Sequence, residues 1–134
     1  MSNTQHVVVM RKDLQMPTGL VAAQTAHAAK KFMIERILTT PMDTTNRDMF
    51  GAEDGSERDW MNDPYIAVLA VQTLEELHMI RDKAREAKLQ VHVWNDVVPS
   101  PTFEGVAFRV DVGLSIGPDD ADAIKLITGG LPLY

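Results

Sequence analysis

Three polar side chains, those of Gln24, His27 and Lys31, recur three and four residues apart in the segment that follows the first predicted strand. At about 100° per residue they fall, together with Leu20, on one side of a helix. This polar stripe begins in the first turn of the helix, so an amide, an imidazole and an ammonium group are presented together. Such groups can orient a substrate and move protons. The alternative is that the stripe is only the solvated face of an amphipathic helix.

A carboxylate and a charged loop are predicted to lie close to this stripe. Asp96 ends a predicted apolar strand, and ligands commonly bind at the carboxyl ends of parallel strands in open α/β sheets. Arg11, Lys12 and Asp13 leave the first strand at the same edge if that strand is also parallel. Asp96 could then activate a water molecule beside cations that hold an anion. The alternative for Asp96 is a turn residue that terminates its strand.

The first strand and the first helix have to position these groups. Residues 6–11 form a nearly continuous β-branched run, which is typical of a strand buried on both faces. Thr18 is the predicted N-cap of a helix that ends near Leu38. The side of this helix predicted to lie against a sheet consists of Ala22, Ala26, Ala29, Met33 and Ile37.

The rest of the chain reads as alternating strands and helices. Thr73 and Glu76 have the spacing of a capping box, which opens a helix. The strand, helix and strand of residues 65–96 predict a right-handed crossover with two parallel strands. Apolar and polar residues alternate in the fourth strand, which indicates that one of its faces is more exposed to water and favours a position at the edge of the sheet. In chain order these elements are strand 65–72, helix 73–88, strand 90–96, strand 106–116 and a helix that ends at Thr128.

Length and composition favour one compact domain over residues 1–134. The chain has 134 residues, of which 45% are hydrophobic, so it can bury a core. Residues 39–63 are polar and acidic and predict a long loop or lid, with a short helical turn around Met49 and Phe50. We therefore expect a single α/β domain.

The charge and the absence of cysteine limit the possible functions. A net charge of −6 argues against a large nucleic-acid footprint, although a local basic patch is compatible with the cations around the first strand and helix. Without cysteine, a disulfide framework, a thiolate metal site and a cysteine nucleophile are excluded. The histidines outside the first helix lack paired ligand spacing, so no metal site is expected. The cations in question are Arg11, Lys12, Lys30, Lys31 and Arg36.

No targeting segment or membrane helix is evident, so we expect a soluble, unprocessed protein. The two tryptophans suggest different roles. Trp94 lies in a predicted strand and reads as packing, whereas Trp60 lies in the polar segment. Trp60 is therefore the better candidate for stacking on a base or for a dimer contact.

Three blocks of the chain resemble the type 2 peptidyl-tRNA hydrolases. The first joins Arg11 and Asp13 to an Ala-Ala-Gln-x-x-His-Ala run at residues 22–28. The second is the strand end at Asp96. The third is the Thr-Gly-x-Leu-x-Leu-Tyr ending at residues 128–134. Each motif alone is weak, but their combination is specific and spans almost the whole chain.

The resemblance implies a single α/β domain in three layers, with a four-stranded mixed sheet flanked by helices. Such domains are often dimeric and hydrolyse the ester that joins a peptide to the terminal ribose of tRNA. It implies no metal and no organic cofactor. The absence of cysteine fits a cytoplasmic location, and the absence of a long apolar run predicts no membrane partner. The residues that match the family's site are Gln24, His27 and Asp96, and Arg11 and Asp13 match its loop between the first strand and helix. Asp96 is then the base or the water-positioning group, and Gln24 is an orienting donor.

Two departures from the family pattern lie beside these residues. Leu20 stands where the family usually has a lysine, and Lys12 or Lys31 could supply the missing cation. After Asp96 the chain has a longer, proline-rich segment in place of a short Ala-Gly-x-Thr turn, in which Ser100 or Thr102 could replace the missing hydroxyl. Two alternatives to a peptidyl-tRNA hydrolase therefore stay open. One is a non-catalytic binding or interaction protein with this fold, and the other is a hydrolase of a smaller ester or amide, with the acidic segment as a selectivity lid.

Overall fold

The structure is a computed structural model that describes residues 3–41 and 55–134. The predicted turn around Met49 and Phe50 lies outside these residues. Within them, no helix is both long and apolar enough to cross a membrane. The four strands are β1 (Thr4–Arg11), β2 (Ile66–Val71), β3 (Val91–Pro99) and β4 (Ala107–Asp120). The helices among the described residues are α1 (Thr18–Thr39), α2 (Ser56–Asn62), α3 (Leu74–Glu86) and α4 (Ala121–Thr128).

The strands form one mixed sheet in the order β2-β1-β4-β3. β1 is parallel to β2, and β4 is antiparallel to both β1 and β3. The predicted α/β fold is confirmed, and β2 and β3 run in the same direction, as the predicted crossover requires. The edge position predicted for β4 is wrong, because β4 lies between β1 and β3. Its alternating residues 107–111 belong to a part of β4 that extends past β1 and pairs with β3 alone.

Helices cover both faces of the sheet, and β1 is buried between them. Val7 and Val9 pack on one face with apolar side chains of α3 and α4, such as Leu77. Val8 and Met10 pack on the other face with the β1–α1 loop and α1. These four residues of β1 are all buried, so the prediction that this strand is buried on both faces is confirmed.

α1 turns the opposite side to the sheet from the one predicted. Its buried residues are Gln24, Ala28 and Phe32, whereas Ala22 and Ala26 are exposed. Alanine methyl groups remove little apolar area from water, so a stripe of them contributes less to burial than a single phenylalanine ring. The polar stripe of α1 therefore lies against the sheet.

Two further local predictions can be compared with the structure. Thr18 is the first residue of α1 rather than its N-cap, which is Pro17 without a side-chain cap. Thr73 caps α3 as predicted, because its hydroxyl oxygen accepts a hydrogen bond from the Glu76 N–H at 3.1 Å.

Part of the predicted long loop is helix α2, and it belongs to the core. The Trp60 ring packs edge-on against His6 and Phe32, with ring centroids 4.9 and 5.6 Å away. Its indole N–H donates to the Tyr65 carbonyl oxygen at 2.8 Å. Trp60 is buried, so the prediction that it stacks on a base or forms a dimer contact is wrong.

Candidate functional site

A chain of side-chain hydrogen bonds joins β3 to α1. The Trp94 indole N–H donates to the Gln24 side-chain carbonyl, and the Gln24 amide nitrogen donates to Asp96 Oδ2 at 3.1 Å. An indole N–H can only donate, so Trp94 determines which end of the Gln24 amide faces Asp96. Gln24 is only 3% exposed, and its amide is therefore a fixed donor to the carboxylate.

Asp96 lies within β3 rather than at its end. The strand continues to Pro99 because Val97 to Pro99 pair with residues 107–109 of β4 in a hairpin. The second carboxylate oxygen of Asp96 accepts the Val97 N–H at 2.8 Å. This bond, followed by the bond from Gln24, lowers the pKa of Asp96, and the charges of Arg109 and His27 act in the same direction. The carboxylate is therefore ionised at neutral pH.

His27 completes the group by stacking on Trp94. The two ring centroids are 4.8 Å apart and the ring planes are inclined by 21°. The structure thus brings together the three residues predicted to be catalytic, Gln24, His27 and Asp96. It adds Trp94, which the sequence analysis assigned to packing. The sequence could have indicated this role, because Trp94 and Asp96 are two residues apart in a strand and therefore point to the same face.

Arg11, predicted to bind substrate, is engaged within the protein. Its guanidinium donates two hydrogen bonds to the Asp13 carboxylate, at 3.1 and 2.7 Å, and a third to the Asp111 carbonyl at 3.1 Å. Arg11 is 8% exposed. Together with Asp13 it fastens the β1–α1 loop to β4. Lys12 is exposed, with its ammonium nitrogen 5.2 Å from the centre of the Tyr134 ring.

Lys31 does not take the place of the lysine that is missing at position 20, because its ammonium group is bound elsewhere. Lys31 Nζ donates to the Val93 carbonyl at 2.5 Å and lies 3.8 Å from Glu35. Leu20 packs against the apolar cluster between α1 and the sheet. Arg109, which the sequence analysis did not consider, contributes a positive charge near Asp96.

Ser100 and Thr102 lie in the loop between β3 and β4. The Ser100 hydroxyl oxygen accepts the backbone N–H groups of Thr102 and Phe103, at 3.2 and 3.0 Å. Ser100 and Thr102 face a pocket of about 390 Å³ whose opposite wall includes Arg11 and Asp13. Four of the residues predicted to bind substrate therefore surround one cavity.

The described residues offer little for a metal ion. Across positions 3–41 and 55–134, no group of three or more His, Asp or Glu side chains is arranged to hold one. The chemistry that these side chains can perform themselves is orientation and proton transfer by the Asp96 carboxylate.

The sequence is similar to known proteins over almost its whole length. The chain matches the family model described as Peptidyl-tRNA hydrolase PTH2 over residues 4–134. The peptidyl-tRNA hydrolase of Metallosphaera sedula is 33% identical over 133 residues, which cover 95% of this chain and 97% of that protein. The peptidyl-tRNA hydrolase of Sulfurisphaera tokodaii is 28% identical over 136 residues, which cover 97% of this chain and 98% of that protein.

A solved structure of a protein of unknown function from Agrobacterium tumefaciens strain C58 has a similar fold. Its TM-score is 0.60 at 17% identity, and the match covers 100% of this chain and 99% of that one. At this identity the similarity concerns the fold alone.

Proposed function

Because the chain belongs to the peptidyl-tRNA hydrolase PTH2 family, we propose that it hydrolyses the ester between a peptide and the terminal ribose of tRNA through water held by Asp96. In this reaction a water oxygen attacks the ester carbonyl carbon and the bond to the ribose oxygen breaks. Asp96 takes the proton from the water, and the released ribose oxygen gains one. The products are a free peptide acid and tRNA.

The hydrogen bond from Gln24 to Asp96 is the observation that carries this proposal. Two N–H donors, from Gln24 and Val97, hold the two carboxylate oxygens and keep Asp96 ionised. A base is most effective when its pKa lies near the working pH, so the low pKa of Asp96 favours orienting the water over strong proton abstraction. Asp96 therefore positions the attacking water and accepts its proton as the carbonyl is attacked.

Gln24 and Trp94 act through Asp96 and are positioning residues. Gln24 is too deeply buried to contact a large substrate, but its amide determines the orientation of the carboxylate. His27, half-buried and stacked on Trp94, can be reached by a substrate from the α1 side.

The exposed cations near this group are the proposed contacts for tRNA phosphates. Lys12 is exposed in the β1–α1 loop. Arg109 is exposed on β4 and donates to Asn95 Oδ1 at 3.3 Å, and its charge still lowers the pKa of Asp96. Lys31 could contribute after releasing the Val93 carbonyl. Since the whole chain carries a charge of −6, binding through these few cations should weaken steeply as salt is raised.

The proposal extends to assembly and location. We infer a homodimer, supported by the exposed Ile37 and Leu38 at the end of α1, which are 57% and 78% exposed. Light scattering of the purified protein tests this by measuring its mass. We also infer a cytoplasmic location, because peptidyl-tRNA is a product of translation.

Release of peptide from N-acetyl-aminoacyl-tRNA by the purified protein tests the proposed function. Asp96→Ala should lower kcat by roughly 10²- to 10⁴-fold, the range for loss of a proton-transferring group, while circular dichroism shows a folded chain. Asp122→Ala is the matched control, since Asp122 is exposed on α4, and it should keep full activity. Unchanged turnover in Asp96→Ala would contradict the mechanism.

Leu20→Lys, assayed at low and moderate salt, tests the departure from the family pattern. Activity in the wild type shows that Leu20 is tolerated. If the wild type is inactive and Leu20→Lys is active, the fold serves another purpose in this chain.

A further inference from the structure

The pocket of about 390 Å³ lies between the β1–α1 loop and the β3–β4 loop. Its apolar wall includes Leu14, Phe103, Val106 and Phe108. Phe103 is 66% exposed and Val106 is 51% exposed. Large apolar side chains that face a cavity and remain open to water are typical of a surface that a ligand covers.

The register of the β3–β4 hairpin places this pocket beside Asp96. Val110 is the cross-strand partner of Asp96, and Phe108 is the partner of Val98. A step of two residues along a strand spans roughly 7 Å and returns to the same face. Phe108, which lines the pocket, is therefore one such step from the cross-strand partner of Asp96, on the face covered by α1.

The charges in the pocket wall exclude an anion as the natural occupant. The charged lining residues are Arg11 and Asp13, and they are bound to each other through two hydrogen bonds. The guanidinium also donates to the Asp111 carbonyl, so it has little capacity left for a phosphate. A neutral apolar group fits the remaining wall.

We propose that this pocket binds the apolar side chain of the amino acid whose carboxyl group forms the ester, with Phe103 as a specificity-determining residue. The inference rests on the proposed function, since it assigns a part of that substrate to a place beside Asp96. Wild-type enzyme should then prefer large apolar residues at the ester over glycine.

The β3–β4 loop has an ordered shape that suits this role. The Ser100 N–H donates to the Val106 carbonyl at 2.7 Å, and the Ser100 hydroxyl accepts two further N–H groups of the loop. Gly105 has φ 78°, a left-handed conformation that other residues rarely adopt. These contacts hold Phe103 at the pocket before any ligand arrives. The loop also belongs to the proline-rich segment after Asp96 in which the sequence departs from the family pattern.

The first test compares hydrolysis of N-acetylphenylalanyl-tRNA and N-acetylglycyl-tRNA. Phe103→Ala should lower kcat/KM for the phenylalanyl substrate about tenfold and change that for the glycyl substrate by less than about twofold, the scale of apolar-pocket discrimination. Phe103→Leu should keep most of the preference. Leu126→Ala, at a site on α4 that is 90% exposed, is the control and should behave as wild type.

Two results of this assay would overturn the inference. An equal loss on both substrates would mean that the pocket binds the terminal adenosine, which the two substrates share. No change on either substrate would mean that the pocket is not used.

A binding measurement separates the pocket from catalysis. N-Acetylphenylalanine amide should shift the backbone amide resonances of Thr102 and Phe103 in the wild-type protein, and N-acetylglycine amide and adenosine should not. If the protein hydrolyses neither tRNA but binds this amide, the proposed function fails while the pocket's preference for an apolar side chain stands. If adenosine alone shifts these resonances, or if none of the three probes does, the inference that the pocket binds an apolar side chain is refuted.

Discussion

The Asp96 carboxylate is held in place by neighbouring side chains of α1 and β3. Gln24 orients and stabilises its charged form, and Trp94 in turn orients Gln24. The residue types in this group are common in proteins. What distinguishes the group is the order of its hydrogen bonds, from Trp94 to Gln24 and from Gln24 to Asp96. Arg11 shows the opposite outcome, because a residue type suited to phosphate binding is used here to fasten a loop.

The Gln24 hydrogen bond should be visible in the pH dependence of hydrolysis. Gln24→Ala removes a donor that lowers the pKa of Asp96, so that pKa should rise. Since the reaction needs the ionised carboxylate, the acidic limb of the kcat/KM profile should move to higher pH, and kcat should fall about tenfold. Gln72→Ala, an exposed glutamine in the β2–α3 turn, should leave the profile unchanged. An acidic limb that stays in place in Gln24→Ala would show that Gln24 does not act on Asp96.

At the scale of elements, the sequence predicts the strands and helices better than the faces they bury. Strand β1 is apolar throughout, so its burial follows from composition alone. The buried face of α1 does not follow from composition, because Gln24 can be buried only where Trp94 and Asp96 form hydrogen bonds with its amide. Both partners lie about 70 residues away in sequence. Periodicity along one helix contains no information about such partners.

The N-terminus of α3 provides a test of a local prediction. Thr73→Ala removes the hydroxyl that accepts the Glu76 N–H and should lower the free energy of unfolding by about 1 kcal/mol. Thr73→Ser keeps the hydroxyl and should recover most of that loss. Urea denaturation followed by circular dichroism measures both variants. Peptide release should be unchanged in each, because α3 covers the sheet face opposite to Asp96; a loss of turnover would imply that the two faces are coupled.

At the scale of the whole molecule, the family resemblance predicted the mixed sheet that composition alone left open. The position of β4 between β1 and β3 depends on which strands pair over a long separation, which the alternation within β4 did not indicate. The candidate site was predicted in part. Gln24, His27 and Asp96 come together, whereas the pocket depends on the shape of a loop whose hydrogen bonds converge on Ser100.

A buried histidine should make the whole fold sensitive to acid. His6 is 0% exposed, packs edge-on against Phe32 and Trp60, and both its ring nitrogens lack a hydrogen-bond partner among the described residues. Burial, with a smaller contribution from the nearby His92, lowers its pKa from 6.5 to about 4. Between these values the unfolded chain binds a proton that the folded chain excludes, so stability falls as pH decreases.

This loss should amount to roughly 3 kcal/mol between neutral pH and pH 4, at about 1.4 kcal/mol for each unit of pKa difference. Chemical denaturation at several pH values measures it. His6→Leu, which replaces the ring with an apolar side chain, should flatten the dependence of the unfolding free energy on pH in this window. Leu126→Ala, at a site on α4 that is 90% exposed, should retain the full dependence, since it replaces no titratable group. If His6→Leu loses stability with acid as steeply as the wild type, the sensitive group is not His6, and His92, paired with Glu35 beside it, becomes the residue to replace.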